Sequence, residues 1–148
     1  GRGGGRPWEL RRRAMSAAVT VPPLVRCLGV RAPAAKALNG IYEYHGVVDN
    51  RPCYHQKGVS SGNYLWFAED STEGFVWVVT SKEHGVGKGF DAVVAKCPST
   101  AWWPWEAEGW LVCGKYRSFA KAPGMCFQPV LPAAELRVEL HPPAAGDG

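Results

Sequence analysis

No acidic residue occurs between Leu10 and Tyr42. The chain also lacks any apolar run near the roughly 20 residues a bilayer-spanning helix requires, any stretch with a sustained helical apolar period, and any C-x₂₋₄-C pair of the kind that builds zinc sites. These absences argue against a transmembrane helix, a helical bundle and a zinc finger. Cysteine is sparse: Cys27, Cys53, Cys97, Cys113 and Cys126 are too few and too irregularly spaced for a disulfide framework. Reduced, buried thiols are favoured over two bridges among the last four, which an oxidising compartment would allow.

The charge is divided unevenly. Residues 1–38 hold eight Arg and Lys against the single acid Glu9, whereas residues 39–148 hold nine basic residues against twelve acids. The net +4 therefore belongs to the leader. Phosphate binding needs a cationic surface, and the part able to fold is mildly acidic, so nucleic acid is excluded as a partner. Arg11, Arg12, Arg13, Arg26, Arg31 and Lys36 stand among Ala, Ser, Val and Leu, a composition that marks organelle-import segments of mitochondrion or plastid. The alternative is an unaddressed, disordered tail on a cytoplasmic protein. Residues 1–38 are accordingly expected to be a disordered leader or targeting segment, 39–140 the folded module, and 141–148 a disordered tail.

After Leu38 the chain changes to short aromatic and β-branched runs separated by turn residues. Ile41–Tyr44 is the first expected strand, Gly46–Asn50 a turn and Pro52–Gln56 the second strand. Asn63–Ala68 (NYLWFA) and Gly74–Thr80 (GFVWVVT) form the strongest hairpin, and their nearly continuous apolar character implies burial on both faces. Further strands are expected at Phe90–Lys96, Gly109–Cys113, Met125–Val130 and Glu135–Leu140. The fold class is all-β: a single small antiparallel meander of six to eight strands, a barrel or a sandwich, with no substantial helix. Tyr42, Tyr54, Tyr64, Trp66, Trp77 and Trp110 are its expected structural core.

The spacing Asn39-Gly40-x-Tyr42, Gly46, Asn50-Arg51-Pro52-x-Tyr54, Tyr64-Leu65-Trp66-Phe67, Trp77-Val78-Val79, Cys97-Pro98, Gly109-Trp110 and Leu136-Arg137-Val138 resembles a small aromatic β-module of predicted proteins from protists and marine invertebrates. That module reads NGxY, NGRPxY, YLYF and WxI, then a proline-bearing loop and GW. It occurs singly, in tandem or attached to unrelated domains, which implies a recognition or packing module and not an enzyme. This chain departs from it at Arg51, where glycine is usual, and in its tryptophan loop.

Six of the seven tryptophans lie between Trp66 and Trp110, three of them in Trp102-Trp103-Pro104-Trp105. Rigid aromatics on a proline-stiffened loop suit recognition of a protein or a carbohydrate, and Glu106 and Glu108 add acceptors beside them. The competing reading is that two of these rings plug the end of a barrel. His45, Cys53, His55, Cys97 and Cys113 carry metal-ligating chemistry without metal-site spacing, so no metal and no cofactor is expected. They also form no recognisable nucleophile–base set. Gly85-Val86-Gly87-Lys88-Gly89 lacks the spacing and the Ser/Thr of a phosphate loop. The expected function is non-catalytic binding, of a protein partner or a larger complex first. An imported structural subunit and a carbohydrate-binding module are the alternatives.

Overall fold

The computed structural model describes residues 18–59, 62–70, 74–81, 92–130 and 136–140. In chain order these form β1 (Ala18–Val21), β2 (Leu24–Leu28), the one-turn helix α1 (Ala35–Leu38), β3 (Gly40–Val48), β4 (Arg51–Gln56), β5 (Tyr64–Asp70), β6 (Gly74–Thr80) and β7 (Val93–Pro98). A 3-10 turn at Pro104–Glu106 follows, then β8 (Leu111–Cys113), a second 3-10 turn at Lys115–Arg117, β9 (Phe119–Lys121), β10 (Cys126–Pro129) and β11 (Leu136–Glu139). The fold is all-β and antiparallel, built around a strongly curled nine-stranded sheet that forms a half-barrel. A separate two-stranded ribbon pairs β1 with β11. No helix among the described residues is long and apolar enough to cross a membrane.

The sheet order is β10-β2-β3-β4-β5-β6-β7-β8-β9, so β9 and β10 occupy opposite edges although only four residues separate them in the chain. Flat, such a sheet would set its outer strands about 38 Å apart, at ~4.8 Å per strand. The connection can reach at most about 18 Å. Curling is therefore obligatory. At the seam where the edges approach, the connecting turn is fixed by the Ala122 N–H, which extends the β8–β9 pairing to the Trp110 carbonyl at 2.9 Å, and by the Met125 N–H, which closes the turn on the Ala122 carbonyl at 3.0 Å. Gly29, just past β2, packs against Gly124 of this turn: a Cβ at Gly29, whose φ is +80°, would overlap the Gly124 carbonyl oxygen.

The period-two alternation of strands sorts the side chains into two buried sets. Val25, Cys27, Tyr42, Tyr54, Leu65, Phe67, Trp77, Val79, Ala95, Cys97, Trp110 and Phe127 pack together, drawn from strands all around the sheet, and so fill the inside of the curl. Cys53, Tyr64, Trp66, Ala68, Val76 and Val78 form a second buried cluster on the other face of β4, β5 and β6. There the Trp66 indole N–H donates to the Thr80 hydroxyl at 3.0 Å. This double burial is why the centres of these strands, Leu65–Ala68 in β5 and Val76–Val79 in β6, carry no polar side chain apart from the Trp indoles. They pair in unbroken register from Tyr64↔Thr80 to Asp70↔Gly74.

Three sequence expectations are corrected. Residues 18–38 are not a detached leader: β2 lies between β10 and β3, and Val21, Val25, Cys27, Val30 and Leu38 are buried. The reason is visible in β2, where Val25 and Cys27 point inward while Arg26 between them points to solvent. A basic composition is compatible with a strand whose arginine occupies the wet face. The Tyr54 hydroxyl donates to the Pro22 carbonyl and the Tyr42 hydroxyl to the Leu38 carbonyl, both at 2.8 Å, which ties this segment to the core. The targeting reading of residues 1–17 and the tail expected at 141–148 lie outside the described residues. The second correction is the strand number, which exceeds six to eight because β1 and β2 were assigned to the leader and β9 was not expected. Third, the turn expected over Gly46–Asn50 shrinks to Asp49-Asn50. These two residues have φ of 50° and 63°, the backbone of a type I′ hairpin turn, and Gly46 instead forms a bulge within β3.

Candidate functional site

The tryptophan loop leaves β7 at Pro98 and is fixed at both ends. The Ser99 N–H donates to the Phe75 carbonyl at 3.2 Å, and the Ala101 N–H to the Ser99 hydroxyl at 3.0 Å. The buried Trp77 indole N–H donates to the Ala101 carbonyl at 2.9 Å, which pins the loop directly to the core. Pro104 then opens the 3-10 turn, which packs against β10. Beyond it, Ala107 and Trp110 are buried in the core, and the Cys97 thiol donates to the Glu108 carbonyl at 3.1 Å.

Within this frame Trp102, Trp103 and Trp105 are each half-buried, Pro104 is buried, and Glu106 and Glu108 are exposed. Trp103 and Trp105 stack in parallel, with centroids 5.2 Å apart and planes 6° apart, and Trp102 meets Trp103 edge-on at 6.1 Å. Trp105 also packs against the inner core. The loop thus divides its surface between the two readings offered for it: each ring is partly spent on packing, and each keeps an accessible part.

Arg51 holds the arrangement together. Its guanidinium lies between two rings, 3.7 Å from the Phe67 centroid and 4.0 Å from that of Trp102. Phe67 in turn stacks on Phe75 at 5.7 Å, and Phe75 is 45% exposed. A ladder Phe75–Phe67–Arg51–Trp102–Trp103–Trp105 therefore runs from the start of β6, through a buried ring and a sandwiched cation, to the loop. Burial pushes the Arg51 pKa below its ordinary value, opposed by the charge of Asp49. Arg51 Nε and Trp102 Nε1 are both buried without a hydrogen-bond partner among the described residues. The π faces are thus the principal hold on the guanidinium, besides its 3.4 Å contact to the Asp49 carbonyl. Cation–π contacts contribute up to about 2 kcal/mol when desolvated. Arg51→Ala should accordingly lower stability by about 2 kcal/mol and raise amide exchange across the loop, with Arg51→Lys restoring only part because an ammonium cannot stack as a plane. Thermal melts with exchange mass spectrometry check this; wild-type exchange in Arg51→Ala would remove the cation from its anchoring role.

Sequence reasoning found the loop but missed Arg51, Phe67 and Phe75 as parts of the site. No local signal joins them, yet Arg51 and the tryptophan loop touch. The remaining singled-out residues fall elsewhere. Tyr42, Tyr54, Tyr64, Trp66, Trp77 and Trp110 are all buried. His45 and His55 lie 5.6 Å apart, with His55 stacked on Tyr64 at 4.2 Å. Cys53 belongs to the outer cluster, Cys97 to the inner core, and Cys113 sits on β8. Among the described residues no three His, Cys, Asp or Glu side chains gather closely enough to hold a metal ion. All five cysteines are free, and burial pushes the Cys27 thiol up to about 12 and the Cys97 thiol up to about 11, which suppresses thiolate chemistry at both. The glycine-rich 85–89 segment lies outside the described residues.

No protein-family model matches the chain, and neither does any curated protein or solved structure. Function is therefore read from the geometry of the loop.

Proposed function

We propose that this domain is a non-catalytic binding module that captures a protein partner through the tryptophan loop. The observation that carries this reading is the ladder itself: three half-buried tryptophans, immobilised from behind by Arg51, Phe67 and the Trp77–Ala101 hydrogen bond. Rings already fixed in place lose little conformational entropy on contact, so the area they bury in a complex converts efficiently into affinity. Aromatic anchors of this kind dominate the energetics of protein interfaces. Exposed Phe75 extends the apolar surface at one end of the ladder, and exposed Glu106 and Glu108 supply negative charge at the other. The matching partner surface is an apolar patch bordered by Lys or Arg. Carbohydrate binding is the weaker reading, because sugars stack on open ring faces and Trp103 and Trp105 occupy one face of each other.

Two variants test the proposal. Trp102→Ser with Trp103→Ser removes the rings, and Glu106→Lys with Glu108→Lys reverses two exposed charges at no packing cost. Both should lose the same cross-linked partner from native extract, and the charge variant should keep the wild-type Tm. Unchanged capture by the charge variant, combined with unfolding of the ring variant, would instead make the loop a structural plug.

A further inference from the structure

A concavity lies at the seam of the half-barrel, formed by other residues than the tryptophan loop. It encloses about 290 Å³ between the segment joining β2 to α1 on one side and β8, β9 and the turn after β9 on the other. Gly29 and Gly124, which touch across the seam, both belong to its wall. Its apolar lining is continuous with the core, since Val30 is a core residue and Ala34, Val112 and Ala122 pack against that core. The shape is thus set by the closure of the sheet and does not depend on a loose loop.

The lining carries one cation at its mouth and no acid. Arg31 is exposed on the wall that joins β2 to α1, and none of the lining residues is acidic. Lys121 also borders the groove, but it pairs with Leu111, and the alternation of β9 sets its side chain on the face opposite Val112 and Ala120. Among the described residues Arg31 has no carboxylate within salt-bridge distance. Its alkyl stem can lie along apolar surface while the charged head reaches the mouth of the groove. An apolar floor beside one unpaired cation selects a ligand with an apolar body and one anionic group, whose oxygens a guanidinium engages in a charge-assisted pair. At the lower end of the usual size of small-molecule sites, roughly 300 Å³, the groove suits a compact body and not a long acyl chain.

We infer that the seam groove binds a compact apolar monoanion, with Arg31 recognising its charge. This reading stands independently of the tryptophan loop and predicts a small-molecule site on the same domain.

Anilinonaphthalene sulfonate is a suitable probe, and uncharged phenylnaphthylamine is its control. The full chain should bind one sulfonate probe saturably, and added salt should weaken the binding. Arg31→Glu should raise its Kd about tenfold, the loss expected of one charge-assisted contact, and leave phenylnaphthylamine binding unchanged. The Arg31 side chain is exposed, so the variant should melt as the wild type does. Ala120 is exposed on β9 and lines the groove, so Ala120→Trp should fill it and abolish binding of both probes. Sulfonate affinity unaffected by the charge reversal would overturn the anionic selectivity. Full binding by Ala120→Trp would place the probe elsewhere and overturn the site.

Discussion

Deleting residues 1–38 should abolish cooperative unfolding altogether. The deletion removes β1, β2 and α1, and with β2 the strand between β10 and β3. Val21, Val25, Cys27, Val30 and Leu38 leave the interior with it. At about 1.5–3 kcal/mol for each buried aliphatic side chain, the loss is on the order of 10 kcal/mol, comparable with the whole stability of an ordinary domain. Hydrogen bonding suffers as well. The buried Tyr42 and Tyr54 hydroxyls lose their acceptors, and Asn39, which bonds both the N–H and the carbonyl of Val30, loses both partners. β10 would be left without its only neighbour in the sheet. Circular dichroism during a thermal scan decides the matter. A sigmoidal transition near the full-length Tm would mean that the fold begins at residue 39 after all, and that the buried positions of β2 contribute nothing.

What made this segment hard to read from sequence is physical. Strands β4, β5 and β6 announce themselves, since Tyr54 alternates with Cys53 and His55 and the β5–β6 runs have no solvated face. In 24–28 the same alternation is present but short, and it is embedded in prolines, alanines and arginines whose average suggests an unfolded chain. Composition averages over both faces of a strand, whereas the pleat separates them. Arg26 is charged and exposed, its neighbours are apolar and buried, and only the second fact bears on folding. The closure of the sheet was still less legible. It follows from the short link between Lys121 and Cys126 once the strand order is known, and strand order depends on pairings between distant parts of the chain.

The candidate site divides along the same line. Trp102, Trp103 and Trp105 are conspicuous because they are adjacent in sequence. Arg51 and Trp102 lie 51 positions apart and meet only because β4 to β7 are consecutive neighbours in a curled sheet. No periodicity within either segment encodes that meeting. The seam groove is more distant still from sequence reading, because Arg31 and Ala120 become neighbours of one cavity only when the two edges of the sheet are brought together.

Trp77→Ala should cost about 3–5 kcal/mol, the range for emptying a buried aromatic site, and should disorder the tryptophan loop more than it disorders the strands. Trp77 is fully buried and meets Phe67 edge-on at 5.1 Å. Phe67 is the ring beneath the Arg51 guanidinium, and the Ala101 carbonyl that receives the Trp77 N–H lies next to Trp102. One side chain therefore supports the ladder twice, through the base of the sandwich and through the backbone of the loop. Trp77→Phe separates the two contributions, since it keeps most of the apolar volume and deletes the donor. It should cost less than the alanine change, with about 1–3 kcal/mol coming from the Ala101 carbonyl left without its partner. Urea melts give the stabilities, and amide exchange across residues 99–107 gives the loop order. Faster exchange in Trp77→Phe with the strands still protected is the expected pattern. Equal protection of loop and strands in that variant would show that Pro104 and the Arg51 sandwich hold the loop unaided, and would remove the core from any part in positioning the binding face.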